Sequence, residues 1–155
     1  MIVEHHARAV LCKAGIEPVS VFSVPTPFNT LLWRVVVLTE DGYLQGLDSL
    51  VADDGPLRLS SHASDKRLLA AASNVWAVKR LRWFTQDLLK TDMEDGILVL
   101  SDLRMGHEPY YVFRHAVARR GNPHWLPIET RQIPTKIDTR PLLAELWKRM
   151  WHRRE

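Results

Sequence analysis

The chain has 155 residues, 46% of them hydrophobic and 25% charged, with a formal net charge of +3. These fractions belong to a globular domain and exclude disorder as the default, while so small a charge gives no ground for nucleic acid as a partner. A single cysteine, Cys12, excludes an intramolecular disulfide and a thiolate zinc cluster.

The length predicts one domain over 1–155, and the order of helices and strands along it predicts an α+β fold. "VEHHARAVLCKAG" predicts a short amphipathic helix with Val3, Ala7, Val10 and Leu11 on one face, Cys12 buried among apolar neighbours, and Gly15 as a stop. The opening "MIVEHHARAV" is charged too early for a secretory signal, and no apolar run approaches the ~18–20 residues that span a bilayer. "PVSVFSV" reads as a strand and "PTPFNT" as a rigid extended connector, since Pro25 and Pro27 lack backbone donors.

"LLWRVVVLTEDGYLQGLDSL" is a hairpin around Asp41-Gly42. A two-residue turn sets Glu40 opposite Tyr43, Val36 opposite Leu47 and Arg34 opposite Ser49. Trp33, Val35, Val37, Leu44 and Gly46 share the other face. Both faces carry apolar residues, so the hairpin is expected to be central and covered on both sides.

An irregular stretch follows, then a long helix over 65–89 with Ala77, Leu81, Phe84 and Leu88 as its apolar stripe and Lys79, Arg80 and Arg82 solvated. "MEDG" is a turn, and "ILVLSDLRMGHEPYYVF" supplies two more strands. "GNPHWLPIETRQIPTKID" reads as loop. A last helix, capped by Asp138 or Thr139, runs over 139–153, with Leu143, Trp147 and Met150 on one face and Leu146 and Trp151 at its edge. Lys148, Arg149, Arg153 and Arg154 surround the tryptophans there; the favoured reading packs those tryptophans on the sheet. The sum is an antiparallel sheet of about five strands, with a long helix packed on it and helices at both termini.

None of the seven histidines has a helical metal-ligand spacing, so no metal site is read within the chain. No nucleophile elbow or phosphate-cradling glycine loop is present. The charged knot at 102–108 is the one candidate. Asp102 and Arg104 are i,i+2 neighbours on a strand and face the same way. Partly buried charges need partners, and Arg34 is a second cation in an apolar strand, with Ser49 and Tyr43 on its face. The favoured reading is a structural network of Arg34, Asp102 and Arg104 with Ser49 or Tyr43; Tyr111 joins the candidate set. The functional reading is a pocket there for an anionic ligand or a protein partner. His107 and Glu108, at the tip of the connection, are weaker candidates.

"PTPFNTLLWRVVV", "DGYLQGLDSL", "RLRWFTQDLL" and "DGILVLSDLRMGHEPYYVFRHAVA" resemble, in order, the C-terminal part of the bacterial membrane-bound metal-dependent hydrolase family, the YdjM/YbcI-like proteins, also described as LexA-binding inner-membrane hydrolases. The resemblance covers Pro25 to Ala118. Its positions are Pro25, Pro27, Asn29, Trp33, Arg34, Gly42, Tyr43, Ser49, Trp83, Phe84, Asp102, Leu103, Arg104, Met105, Gly106, Pro109, Tyr111 and Phe113. It implies an accessory soluble domain on the inner membrane, with the cytoplasmic side favoured, partnered by a membrane-embedded region of a parent protein, by another protein, or by a second copy. A divalent metal such as zinc is implied for that membrane region, not for this chain. The alternative is a stand-alone binding module.

Overall fold

The structure, a computed structural model, describes residues 2–152. Arg153 and Arg154, which the sequence places around the tryptophans of the last helix, lie outside them. The fold is α+β with antiparallel sheets, arranged as two compact units rather than one five-stranded sheet on one long helix. One unit is Ala63–Ile137; the other is formed by the described residues on either side of it.

The flanking unit is built on a sheet in the order β1-β2-β3-β4: β1 (Ser20–Pro25), β2 (Leu32–Leu38), β3 (Gly42–Ser49) and β4 (Ser60–Ala63). Helix α1 (Ile2–Ala14) lays Val3, Ala7 and Leu11 on Val35 and Val37, as the helical spacing predicts. Cys12, expected to be buried, is exposed. Its position falls beside the apolar stripe rather than within it. On the opposite face of β2, the C-terminal helix α4 (Thr139–Trp151, capped by Asp138) packs Leu146 and Met150 against Leu32. The hairpin is thus central and covered on both sides.

The hairpin register differs from the two-residue turn. Leu38 pairs with Tyr43, Val36 with Gln45 and Arg34 with Leu47. Thr39 to Asp41 form the connection, closed by the Thr39 N–H donating to the Gly42 carbonyl at 3.0 Å. The slip is two residues, so every side chain keeps its expected face. "PTPFNT" is a turn rather than an extended connector. Phe28 has a φ of +64°, and Asn29 Oδ1 accepts from the Leu31 and Leu32 N–H groups at 3.1 and 2.8 Å. In α4 the packed stripe is Leu142, Leu146 and Met150, while Leu143, Trp147 and Trp151 are exposed. The tryptophans do not pack on the sheet; they meet edge to face, ring centres 6.1 Å apart.

The second unit carries a sheet in the order β10-β9-β6-β5. The helix expected over 65–89 is two helices, α2 (Lys66–Ala71) and α3 (Trp76–Thr85), followed by strand β5 (Leu89–Glu94). Ser73 and Asn74 sit at the break, residue types that compete with the helical backbone. After α3, Gln86 and Asp87 take positive φ and turn the chain into β5. The "DG" signal of "MEDG" holds: Asp95 and Gly96, both at positive φ, join β5 to β6 (Ile97–Asp102). A two-stranded ribbon follows, β7 (Gly106–His107) with β8 (Tyr110–Tyr111), then β9 (Arg114–Arg119). The Pro-rich stretch expected as loop contains β10 (Leu126–Gln132), an edge strand with a bulge between Pro127 and Arg131. Its exposed position accounts for the weak apolar signal. Ala77 and Val78 of α3 pack with Leu89, Leu98, Leu100, Val117 and Ala118 to form the core. Among the described residues no helix is long and apolar enough to cross a membrane.

Candidate functional site

The sequence candidates fall into both units. Arg34, Tyr43 and Ser49 belong to the flanking unit; Asp102, Arg104, Tyr111, His107 and Glu108 belong to the second. In the flanking unit the three have structural surroundings. Arg34 is 4% exposed and donates to Gln45 Oε1 at 3.4 Å. Ser49 Oγ donates to the Met150 carbonyl at 2.7 Å, tying α4 to β3, and accepts from the Ala52 N–H at 3.0 Å. Tyr43 is buried and stacks on His62, with ring centres 5.3 Å apart.

In the second unit Asp102 and Arg104 form the expected pair. Asp102 is 5% exposed and ends β6. Its Oδ2 accepts from Arg104 Nη2 at 2.7 Å, and its Oδ1 accepts from Arg104 Nε at 3.0 Å and from the Arg104 backbone N–H at 2.9 Å. The arrangement is a bidentate fork on a side-chain-capped turn. Hydrogen bonding to Asp102 raises the Arg104 pKa against the opposing effect of burial. The guanidinium carbon also lies 4.9 Å from the centre of the Phe84 ring, a cation–π contact.

His107 and Glu108, expected at an exposed tip, are half-buried. Lys90 reaches the Glu108 carboxylate at 3.0 Å and Asp92 at 3.3 Å. Burial pulls the Lys90 pKa down, but the hydrogen bond to Glu108 and the charges of Asp92 and Glu108 outweigh it, and the net shift is upward. Tyr111 is buried, and its carbonyl accepts from Thr135 Oγ1 at 2.7 Å. Among the described residues no group of three or more His, Cys, Asp or Glu is placed to hold one metal ion.

The Asp102–Arg104 pair lies on the wall of a cleft of about 740 Å³ within the second unit. Its walls are α3 (Trp76, Arg80, Leu81, Trp83, Phe84), the ends of β5 and β6 (Leu89, Leu100, Asp102), the turn residues Arg104 and Met105, Phe113 just before β9, His115 of β9 and Thr130 of β10.

No family model, no curated protein and no solved structure matches the chain.

The cleft gathers Trp83, Phe84, Asp102, Arg104, Met105 and Phe113, six of the positions on which the hydrolase resemblance rests. Phe84 was expected in the core; it is 60% exposed, and Trp83 is 76% exposed. At 100° per residue, Trp76, Arg80, Trp83 and Phe84 span one side of α3, whereas Ala77, Val78, Leu81 and Thr85 span the other. That aromatic and cationic stripe was readable in the sequence once α3 is bounded at Trp76 and Thr85. Trp76, Arg80, His115 and Thr130 had no other signal, because only the packing of β9 and β10 brings His115 and Thr130 to the cleft.

Burial lowers the His115 pKa, and the charge of Asp102 raises it by less. Burial thus disfavours the charged imidazolium there.

Proposed function

We propose that this chain is an accessory binding module that holds a ligand or an apolar segment of a partner in the second unit's cleft. In the setting implied by the hydrolase resemblance, the partner is the membrane-embedded, metal-dependent region, and the chain lacks a complete active site of its own. The observation that carries the reading is the cleft: its volume lies in the range of small-molecule sites, and its walls are largely aromatic and aliphatic with a few fixed polar groups. The exposed Trp76, Trp83 and Phe84 are a second support, since large apolar side chains clustered on a surface mark contact sites.

Two measurements on the full chain test this. A neutral naphthalene probe, 2-naphthalenemethanol, should quench tryptophan fluorescence saturably, and Thr130→Trp, which fills the cleft from its exposed rim, should abolish the saturable phase. Binding that ignores Thr130→Trp would place the probe elsewhere and remove the cleft as the site. With added zinc or manganese, generic phosphoesterase and esterase substrates should show no turnover above the metal alone; robust turnover that depends on Asp102 or His107 would make the chain an enzyme and overturn the module reading.

A further inference from the structure

The polar groups of the cleft narrow what it can hold. Three charged side chains line it: Arg80, Arg104 and Asp102. Asp102 is already saturated, because both its oxygens accept from Arg104. A cationic ligand would have to displace that guanidinium from a carboxylate that is 5% exposed. Arg104 is held in place by the fork from Asp102 and by Phe84, yet its Nη1 makes no hydrogen bond among the described residues. Arg80 is exposed, with its guanidinium carbon 5.4 Å from the centre of the Trp76 ring. The charged groups left open in the cleft are therefore donors and its net charge is positive, while most of its lining is aromatic or aliphatic.

We infer that the cleft binds an amphiphile with a flat apolar body and one anionic head, the body lying among Trp83, Phe84 and Phe113 and the head meeting Arg104 Nη1 and Arg80. The inference rests on the cleft being the binding site and adds the chemical class of its ligand. A pre-positioned guanidinium with an open edge loses little side-chain freedom when it takes a carboxylate. With Asp102 offsetting one of the two guanidinium groups, the lining carries one net positive charge, which matches a head of one negative charge.

The test titrates the full chain at pH 7 with three probes that share a 2-naphthyl body, 2-naphthoate, 2-naphthalenemethanol and 2-naphthylmethylammonium, read by tryptophan fluorescence. Naphthoate should bind about tenfold tighter than the alcohol, the worth of one charge-assisted hydrogen bond, and the ammonium weakest. Arg104→Met should bring naphthoate to within about twofold of the alcohol. Arg80→Met, an exposed position outside the Asp102 pair, should cost naphthoate about threefold and keeps the test decisive if Arg104→Met folds poorly. Equal binding of all three probes, still blocked by Thr130→Trp, would overturn the anionic class and leave the cleft as a site. Absence of saturable binding by any probe would overturn both readings.

Discussion

Replacing Arg104 by Met removes the guanidinium and keeps the stem, so the packing against Phe84 survives and the loss is electrostatic. The magnitude follows from how far the pair is from water. Breaking a fully buried ion pair costs about 3–5 kcal/mol, because one charge is left unpaired, whereas an exposed pair is worth roughly 0.2–1 kcal/mol. Here the Asp102 side chain is 6% exposed and that of Arg104 is 27% exposed. In the variant Asp102 keeps one donor, the backbone N–H of residue 104 at 2.9 Å. The expected loss is about 2 kcal/mol. For a small unit with a urea dependence near 1 kcal/mol per molar, the midpoint falls by about 2 M. Urea denaturation followed by circular dichroism measures it, and hydrogen exchange locates the loss in Ala63–Ile137. Adding Asp102→Asn to Arg104→Met should restore about half, since a neutral amide is far cheaper to bury than a lone carboxylate. A single variant whose midpoint falls by less than about 0.3 M would refute the claim that Arg104 holds Asp102 in place.

Gly106→Ala should destabilise the β7–β8 ribbon by at least about 2 kcal/mol. Gly106 has a φ of +123°, and a Cβ there would lie 2.3 Å from the Tyr110 carbonyl oxygen; faster amide exchange at Tyr111 checks it, and unchanged exchange counts against it. His6→Ala should cost about 1–2 kcal/mol and loosen α1, because His6 Nδ1 is 3.0 Å from the Asp48 carboxylate, whose side chain is 3% exposed. Thermal melts would read that loss, with His6→Asn recovering part of it if a donor to Asp48 is what matters. His115→Gln should flatten acid destabilisation. A histidine whose pKa is depressed on folding gives its full stability above its unfolded value near ~6.5 and loses it as the pH falls toward the folded value. The parent should therefore lose stability relative to the variant as the pH falls below about 6.5, and parallel curves would contradict the burial effect.

Sequence pattern by itself determined what depends on neighbours along the chain. The spacing of Val3, Ala7 and Leu11 set the buried face of α1, the double-sided apolar run of 32–38 made β2 central, and Asp95-Gly96 fixed the turn between β5 and β6. Even the hairpin misread by two residues kept its faces, because strand side chains repeat every two. The pairing of Asp102 with Arg104 was legible for the same reason, as an i,i+2 contact. Tertiary structure decided the rest. Whether Phe84 is core or surface depended on where α3 begins and ends, and periodicity alone did not mark the break at Ser73 and Asn74. The edge strand β10 buries too little to leave an apolar alternation, yet it carries Thr130 to the cleft. Arg34 and Asp102 read as one network because both are charges in apolar strands; the fold puts Arg34 in the flanking unit and Asp102 in Ala63–Ile137, a division that no local pattern announced. A cleft is a property of surfaces from α3, β6, β9 and β10 meeting in space, and residues as far apart in the chain as Trp76 and Thr130 carry no local signal that they line the same wall.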